Sequence, residues 1–330
     1  MSRRRVLLAL AGLTAGALGP QLTRAAEPAP KVMRLGFVGP NSPSNATRSY
    51  TAFWERLREL GWVEGQNLII EGRWAQDRVE RLAPLIVEVI GRNVDVIFTV
   101  STPGAAAAKN ATSTIPIVVV AMSDPVRSGL ATSLARPGGN LTGMSMGYSP
   151  EFSGKWLELL QEAVPGLTTV AMIANPDNSA ALDLAKDVQT TAPKLHLRVQ
   201  IIQVHEAAAL VGAFEQARRQ AQAVLVHGET FTLQHREQVT ALAARHRLPA
   251  MYNLLPFMDA GGLMAYAPDL AVMFRHAADY VDKILRGAKP ADLPIEQPTQ
   301  YVLAVNLKTA AGLGLSIPES ILLQSNQVIR

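Results

Sequence analysis

Gly36-Phe37-Val38-Gly39-Pro40-Asn41-Ser42 returns as Met172-Ile173-Ala174-Asn175-Pro176-Asp177-Asn178: an apolar run followed by a polar loop that holds a proline. Val96-Ile97-Phe98-Thr99-Val100-Ser101-Thr102 returns in the same way as Val224-Leu225-Val226-His227-Gly228-Glu229-Thr230, and Ile115-Pro116-Ile117-Val118-Val119 as Leu248-Pro249-Ala250-Met251-Tyr252. The three pairs keep their order in two blocks of similar length. Such a repeat predicts two similar α/β lobes in series, with a cleft between them lined by the loops at the strand ends, where open parallel sheets bind small ligands.

Outward from these runs, apolar strands alternate with amphipathic helices. Tyr50 to Leu60 carries Phe53, Leu57 and Leu60 on one face, and Val79 to Arg92 reads as a second helix before the strand from Val94 to Val100. This alternation predicts βαβ units and doubly wound parallel sheets. Near the end, Leu270 to Arg286 is a helix with an apolar stripe at Met273, Ala277, Tyr280, Val281 and Ile284. The expected division is a signal peptide at 1–26, an N-terminal lobe of 31–147 plus 266–296, and a C-terminal lobe of 148–265 plus 297–330. Two of the crossings are expected near Gly261-Gly262 and over Pro294 to Pro298.

Arg3, Arg4 and Arg5 precede an apolar run from Val6 to Leu18, and small residues follow at Ala25 and Ala26. This is the layout of a secretory signal, which predicts a periplasmic protein. Ser2-Arg3-Arg4-Arg5-Val6-Leu7 also fits the twin-arginine pattern loosely, so the Sec and twin-arginine routes both stay open. The signal accounts for the apparent basicity, a net charge of +4. Without Arg3, Arg4, Arg5 and Arg24, basic and acidic side chains balance at 27 each. A nucleic-acid partner, which needs a basic face, is not expected. The chain has no cysteine, which rules out disulfides and a lipid-bearing cysteine at the processed end. A freely soluble protein is expected.

The polar loops supply the candidate ligand contacts. In the first lobe they are Asn41 and Ser42, Ser101 and Thr102, and Ser123 and Asp124; each pair lies where a strand gives way to a helix whose free N–H groups suit an anion. In the second lobe they are Asn175 and Asp177, His227 and Glu229, and Tyr252, with Tyr266 beside an expected crossing. Glu229 and Asp124 suit a cationic group, and Tyr252 suits stacking. Ordinary helix capping competes with ligand contact at Asn41, Ser42 and Asp124, and core packing competes at Tyr252 and Tyr266.

Other motifs fail in context. Gly143-Met144-Ser145-Met146-Gly147 has the G-x-S-x-G spacing, but it runs into Tyr148-Ser149-Pro150, whereas a nucleophile elbow needs a helix directly after the serine. The histidines have no metal-ligand spacing, and neither a Walker A sequence nor a complete G-x-G-x-x-G occurs. No catalytic residue, metal or cofactor is expected.

Several stretches together resemble a known family. Asp124-Pro125-Val126, Ser133 to Gly143 (SLARPGGNLTG), Gly261-Gly262-Leu263-Met264-Ala265-Tyr266, Tyr280 to Pro294 (YVDKILRGAKPADLP) and Asn306-Leu307-Lys308-Thr309-Ala310 are similar to the substrate-binding proteins of ABC transporters that include the tryptophan-binding TrpX type. The resemblance implies a type I periplasmic-binding fold, a Venus-flytrap of two lobes joined by a hinge. It also implies a monomeric receptor that closes on a small organic solute, an amino acid or related carboxylate, and docks on an ABC permease. It does not fix the ligand. Two other readings compete: a sensor that presents ligand to a kinase or chemoreceptor, and a serine hydrolase using Ser145.

Overall fold

The computed structural model describes residues 32–43 and 48–330. The signal peptide expected at 1–26, and Ser44 and Asn45 of the first polar loop, lie outside the described residues. In chain order the strands are β1 (Met33–Gly39), β2 (Leu68–Trp74), β3 (Val96–Val100), β4 (Ile117–Met122), β5 (Leu141–Ser145), β6 (Thr169–Ala174), β7 (Arg198–Gln203), β8 (Ala223–Val226), β9 (Ala250–Tyr252), β10 (Met264–Pro268), β11 (Ile295–Glu296), β12 (Tyr301–Asn306) and β13 (Gln327–Ile329).

They form two sheets, ordered β2-β1-β3-β4-β5-β11 and β7-β6-β8-β9-β10-β12-β13. The repeat seen in the sequence is this topology: β1, β3 and β4 of the first sheet match β6, β8 and β9 of the second. Both orders reverse beside their first strand, which opens a crevice at the carboxyl ends. Two strands, β12 and its parallel neighbour β13, depart from the parallel plan. The chain leaves the second lobe through β10 and re-enters through β12, so these two neighbours run antiparallel.

Both faces of each sheet are covered, which explains why the strands read as continuous apolar runs. In β3, Val96, Phe98 and Val100 face a layer that holds Phe53 and Phe274, with Phe98 stacked on Phe53 at 3.9 Å, while Ile97 packs with Ile86 and Ala105 in the opposite layer. In β6, Ala171 and Ile173 pack with Phe214, whereas Val170 and Met172 pack with Trp156 and Val188. The alternation is the two-residue period of a strand.

The chain passes between the sheets over residues 146–149, again after Pro268, and between Glu296 and Tyr301. The second passage comes later than Gly261-Gly262. Those glycines close the turn after a helix at Pro256–Asp259, donating to Met258 and Phe257 carbonyls, and Tyr266 is still paired with Leu303 in the second sheet. The helix Leu270–Leu285 that follows packs on the helix Arg48–Glu59 of the first lobe, where Arg56 bonds Asp279 at 2.8 Å.

Gly143 explains the first glycine of the G-x-S-x-G spacing. Its φ is +133°, and a Cβ would collide with the Val119 carbonyl of β4. Ser145 sits two residues on, in β5, wholly buried. Its place is in the sheet, away from any surface a substrate could reach.

Candidate ligand-binding site

A cavity of about 850 Å³, the space at its open mouth included, lies between the lobes at the carboxyl ends of β1, β3, β4 and β8. Its place, in the crevice at the strand ends, suits a small ligand. The first lobe contributes Asn41 after β1, Ser101 and Thr102 after β3, and Ser123 after β4. The second contributes Asn178, His227, Glu229 and Thr230. Aromatic and aliphatic walls come from Tyr50, Tyr148, Leu254 and Phe274.

Ser101 opens the helix Ser101–Ala111 with a left-handed backbone, φ +73°, and Ala121 beside it has φ +61°. Side-chain-bearing residues adopt this region at a cost, so the surrounding contacts must hold them there. The helix is drawn in at Gly104, where a Cβ would stand 2.6 Å from Thr99 Oγ1. Thr102 Oγ1 accepts from Ser123 N–H at 3.0 Å, which leaves the threonine hydrogen free. The Ser101 hydroxyl is buried without a partner among the described residues. Hydroxyls and N–H groups at a helix start can hold an anion without any cationic side chain.

Across the cavity, Glu229 caps the short helix Thr230–Gln234, accepting from Phe231 N–H at 3.1 Å and Thr232 N–H at 3.2 Å. Burial pushes its carboxyl above the ordinary range, and the bonds from Phe231, Thr232, Asn175 and Asn178 pull partly the other way. Among the described residues that line the cavity, it carries the one acidic side chain. His227 is 3% exposed, and burial lowers its pKa to about 4, so the imidazole is neutral at pH 7. Its Nδ1 has no partner among the described residues. Asn253 joins this loop to the crossing segment 146–149: its Oδ1 accepts from Gly228 N–H, and its Nδ2 donates to the Tyr148 hydroxyl at 3.0 Å.

Asn41, Ser101, Thr102, Ser123, His227 and Glu229 thus line the cavity, and the other half of the expected set does not. Ser42 turns away to donate to Asp77 at 2.6 Å. Asp124 accepts from the N–H groups of Val126 and Arg127, both at 3.0 Å, the capping role that competed with ligand contact. Asn175 stands behind Glu229 and accepts from Asp177 N–H, while Asp177 points outward to His205 at 3.3 Å. Tyr252 is fully buried and stacked on Phe257 at 4.6 Å, because its place in β9 aims it into a helix layer. Tyr266 stacks on Phe152 at 5.1 Å, outside the cavity.

Among the residues that sequence reasoning missed are Tyr50, Tyr148, Asn178, Thr230, Leu254 and Phe274. Asn178 lay within the repeated loop and was legible there. Phe274 lies just off the stripe read on its helix, and Tyr50 was read as part of an ordinary core helix. Among the described residues, no group of His, Asp and Glu could hold a metal ion.

The profile of the family described as "ABC transporter substrate binding protein" matches residues 42–329. A protein named "Tyrosine-binding protein", from Clostridioides difficile (strain R20291), is 24% identical over 263 residues, which are 80% of this chain and 75% of that one. Among solved structures, a conserved domain protein of Vibrio cholerae O1 biovar El Tor strain N16961 superposes with a TM-score of 0.85 at 24% identity, covering 90% of this chain and all of that one. An ABC domain in complex with L-Trp, from Streptococcus pneumonia, gives 0.84 at 23% identity, over 91% of this chain and all of the other. These likenesses show the fold, a type I periplasmic-binding architecture of two α/β lobes.

Proposed function

Because this chain belongs to the ABC transporter substrate-binding protein family, we propose that it is an exported receptor that captures an aromatic amino acid between its lobes and delivers it to the permease of an ABC importer. One observation carries the choice of ligand: the cavity pairs a single acid, Glu229, with an anion-accepting helix start at Ser101 and Thr102, between aromatic walls. A zwitterion matches this layout. Its ammonium goes to Glu229, its carboxylate to the helix start, and its ring lies among Tyr50, Tyr148 and Phe274. A dianion would lack a cationic side chain to meet its second charge. The tyrosine and L-Trp named for the relatives belong to the same chemical class.

Contacts from both lobes are available together only in the closed state, so ligand favours closure and the closed form is what a permease would recognise. The receptor works as a monomer in the periplasm. The family match speaks for transport over presentation to a kinase or chemoreceptor, and the burial of Ser145 speaks against hydrolysis.

Thermal shift and calorimetry test the ligand class. L-tyrosine, L-tryptophan and L-phenylalanine are expected to raise the melting temperature through preferential binding to the native state, with little response to aliphatic amino acids or dicarboxylates. A response confined to dicarboxylates or sugars would refute the assignment.

A further inference from the structure

Asp77 stands outside the cavity, yet its hydrogen bonds reach into it. It follows β2 with a left-handed backbone, φ +61°, beside Gln76 at φ +57°. Such a conformation persists where neighbouring contacts enforce it. The loop after β1 supplies them: Asp77 N–H donates to Pro40 O at 2.8 Å, and Gln76 N–H to Asn41 O at 3.3 Å. The Asp77 carboxylate then accepts from Ser42 Oγ at 2.6 Å and from Asn41 Nδ2 at 3.4 Å. On the far side of the same amide, Tyr50 Oη lies 3.1 Å from Asn41 Oδ1.

A carboxylate can only accept, so it fixes which side of the Asn41 amide carries the NH₂ group. The carbonyl side then faces Tyr50. An amide oxygen also only accepts, so the one hydroxyl hydrogen of Tyr50 is committed to it. Tyr50 lines the cavity, and where its oxygen meets a solute it can offer lone pairs alone. We propose that Asp77 is a positioning residue that fixes the Tyr50 hydroxyl as an acceptor towards the cavity, so that the site selects a solute presenting an N–H or O–H group at that point.

The inference rests on reading the cleft as the solute site. It adds to Glu229, on the second lobe, an acceptor on the first. Burial, and after it the Asp77 charge, push the Tyr50 phenol well up, so the hydroxyl keeps the proton that the relay needs.

Two measurements test the proposal on the purified protein. In the ligand-free state, the tyrosine Fermi doublet in the Raman spectrum, isolated as the difference between wild type and Tyr50→Phe, is expected to report a hydrogen-bond donor. It should move towards acceptor character in Asp77→Ala, which removes the acceptor that orients the amide, and also in Asn41→Ala, which serves if the first variant folds poorly. An acceptor signature in wild type, or no change in the variants, overturns the proposal. The second measurement is a double-mutant cycle with L-tyrosine and L-tryptophan as probes. Asp77→Ala and Tyr50→Phe are each expected to weaken binding about threefold to tenfold, and the double variant no more than the weaker-binding single. Additive losses would overturn the proposal. If neither amino acid binds wild type, the ligand assignment fails, and the Raman result still decides the role of Asp77.

Discussion

Glu229 and His227 are neighbours on one loop, and burial moves them in opposite directions. Burial raises the Glu229 carboxyl, so it takes up a proton at a higher pH than an exposed glutamate. An ammonium ligand needs the ionised form. Affinity for an aromatic amino acid is therefore expected to fall as pH drops through that raised value. Glu229→Gln should abolish this dependence and weaken binding about tenfold to a hundredfold at neutral pH, as titration calorimetry would show. His227 titrates near 6.5 when free and about 4 when folded. Between these values the unfolded chain binds more protons than the native one, so stability rises with pH through the window and is lost as pH falls through it. The loss amounts to about 3 kcal/mol at the acid end. Melting curves of His227→Gln between pH 4 and 6.5 should be flatter than those of wild type.

Among the elements, β5 shows how closely the strands are fitted. Gly143→Ala would place a methyl group against the β4 backbone at a φ that alanine avoids, and a loss of more than about 2 kcal/mol in a denaturant titration is expected. The strands themselves were legible in the sequence, because short apolar runs that end in polar loops survive in both halves of the repeat. The direction of each loop side chain was not. Ser42 and Asp177 each have a partner closer than the cavity, Asp77 and His205, whose position no short sequence pattern fixes, whereas Asp124 makes the local cap that its sequence had offered as the competing role. Tyr252 ends an apolar run, and only the pairing of β9 with its neighbours decides which layer it enters. The aromatic wall was hidden for another reason: Phe274 reaches the cavity because the chain crosses after Pro268, which sets where its helix starts.

At the scale of the molecule, the lobes meet away from the solute as well. Arg127, in the loop after β4, makes a two-pronged pair with Asp187 on the helix Ser179–Thr191 of the second lobe, at 3.0 and 3.2 Å. The arginine is partly exposed, so the pair contributes modestly. Opening of the lobes would part these elements, so the loss is expected to fall on the closed state. Arg127→Gln is expected to speed dissociation about twofold to fivefold in stopped-flow measurements, with less effect as salt rises. Closure also has a built-in optical reporter. Of the four tryptophans, Trp54, Trp62 and Trp74 line a separate groove on the first lobe, whereas Trp156 is buried with its ring 5.5 Å from Tyr148 in the crossing segment. Bending at that joint alters the surroundings of Trp156, while Trp74, 5.1 Å from Tyr50, senses the cavity wall. Emission should therefore follow capture of L-phenylalanine, which has no indole, in real time without an added dye, and Trp156→Phe should remove the part of the change that reports the joint.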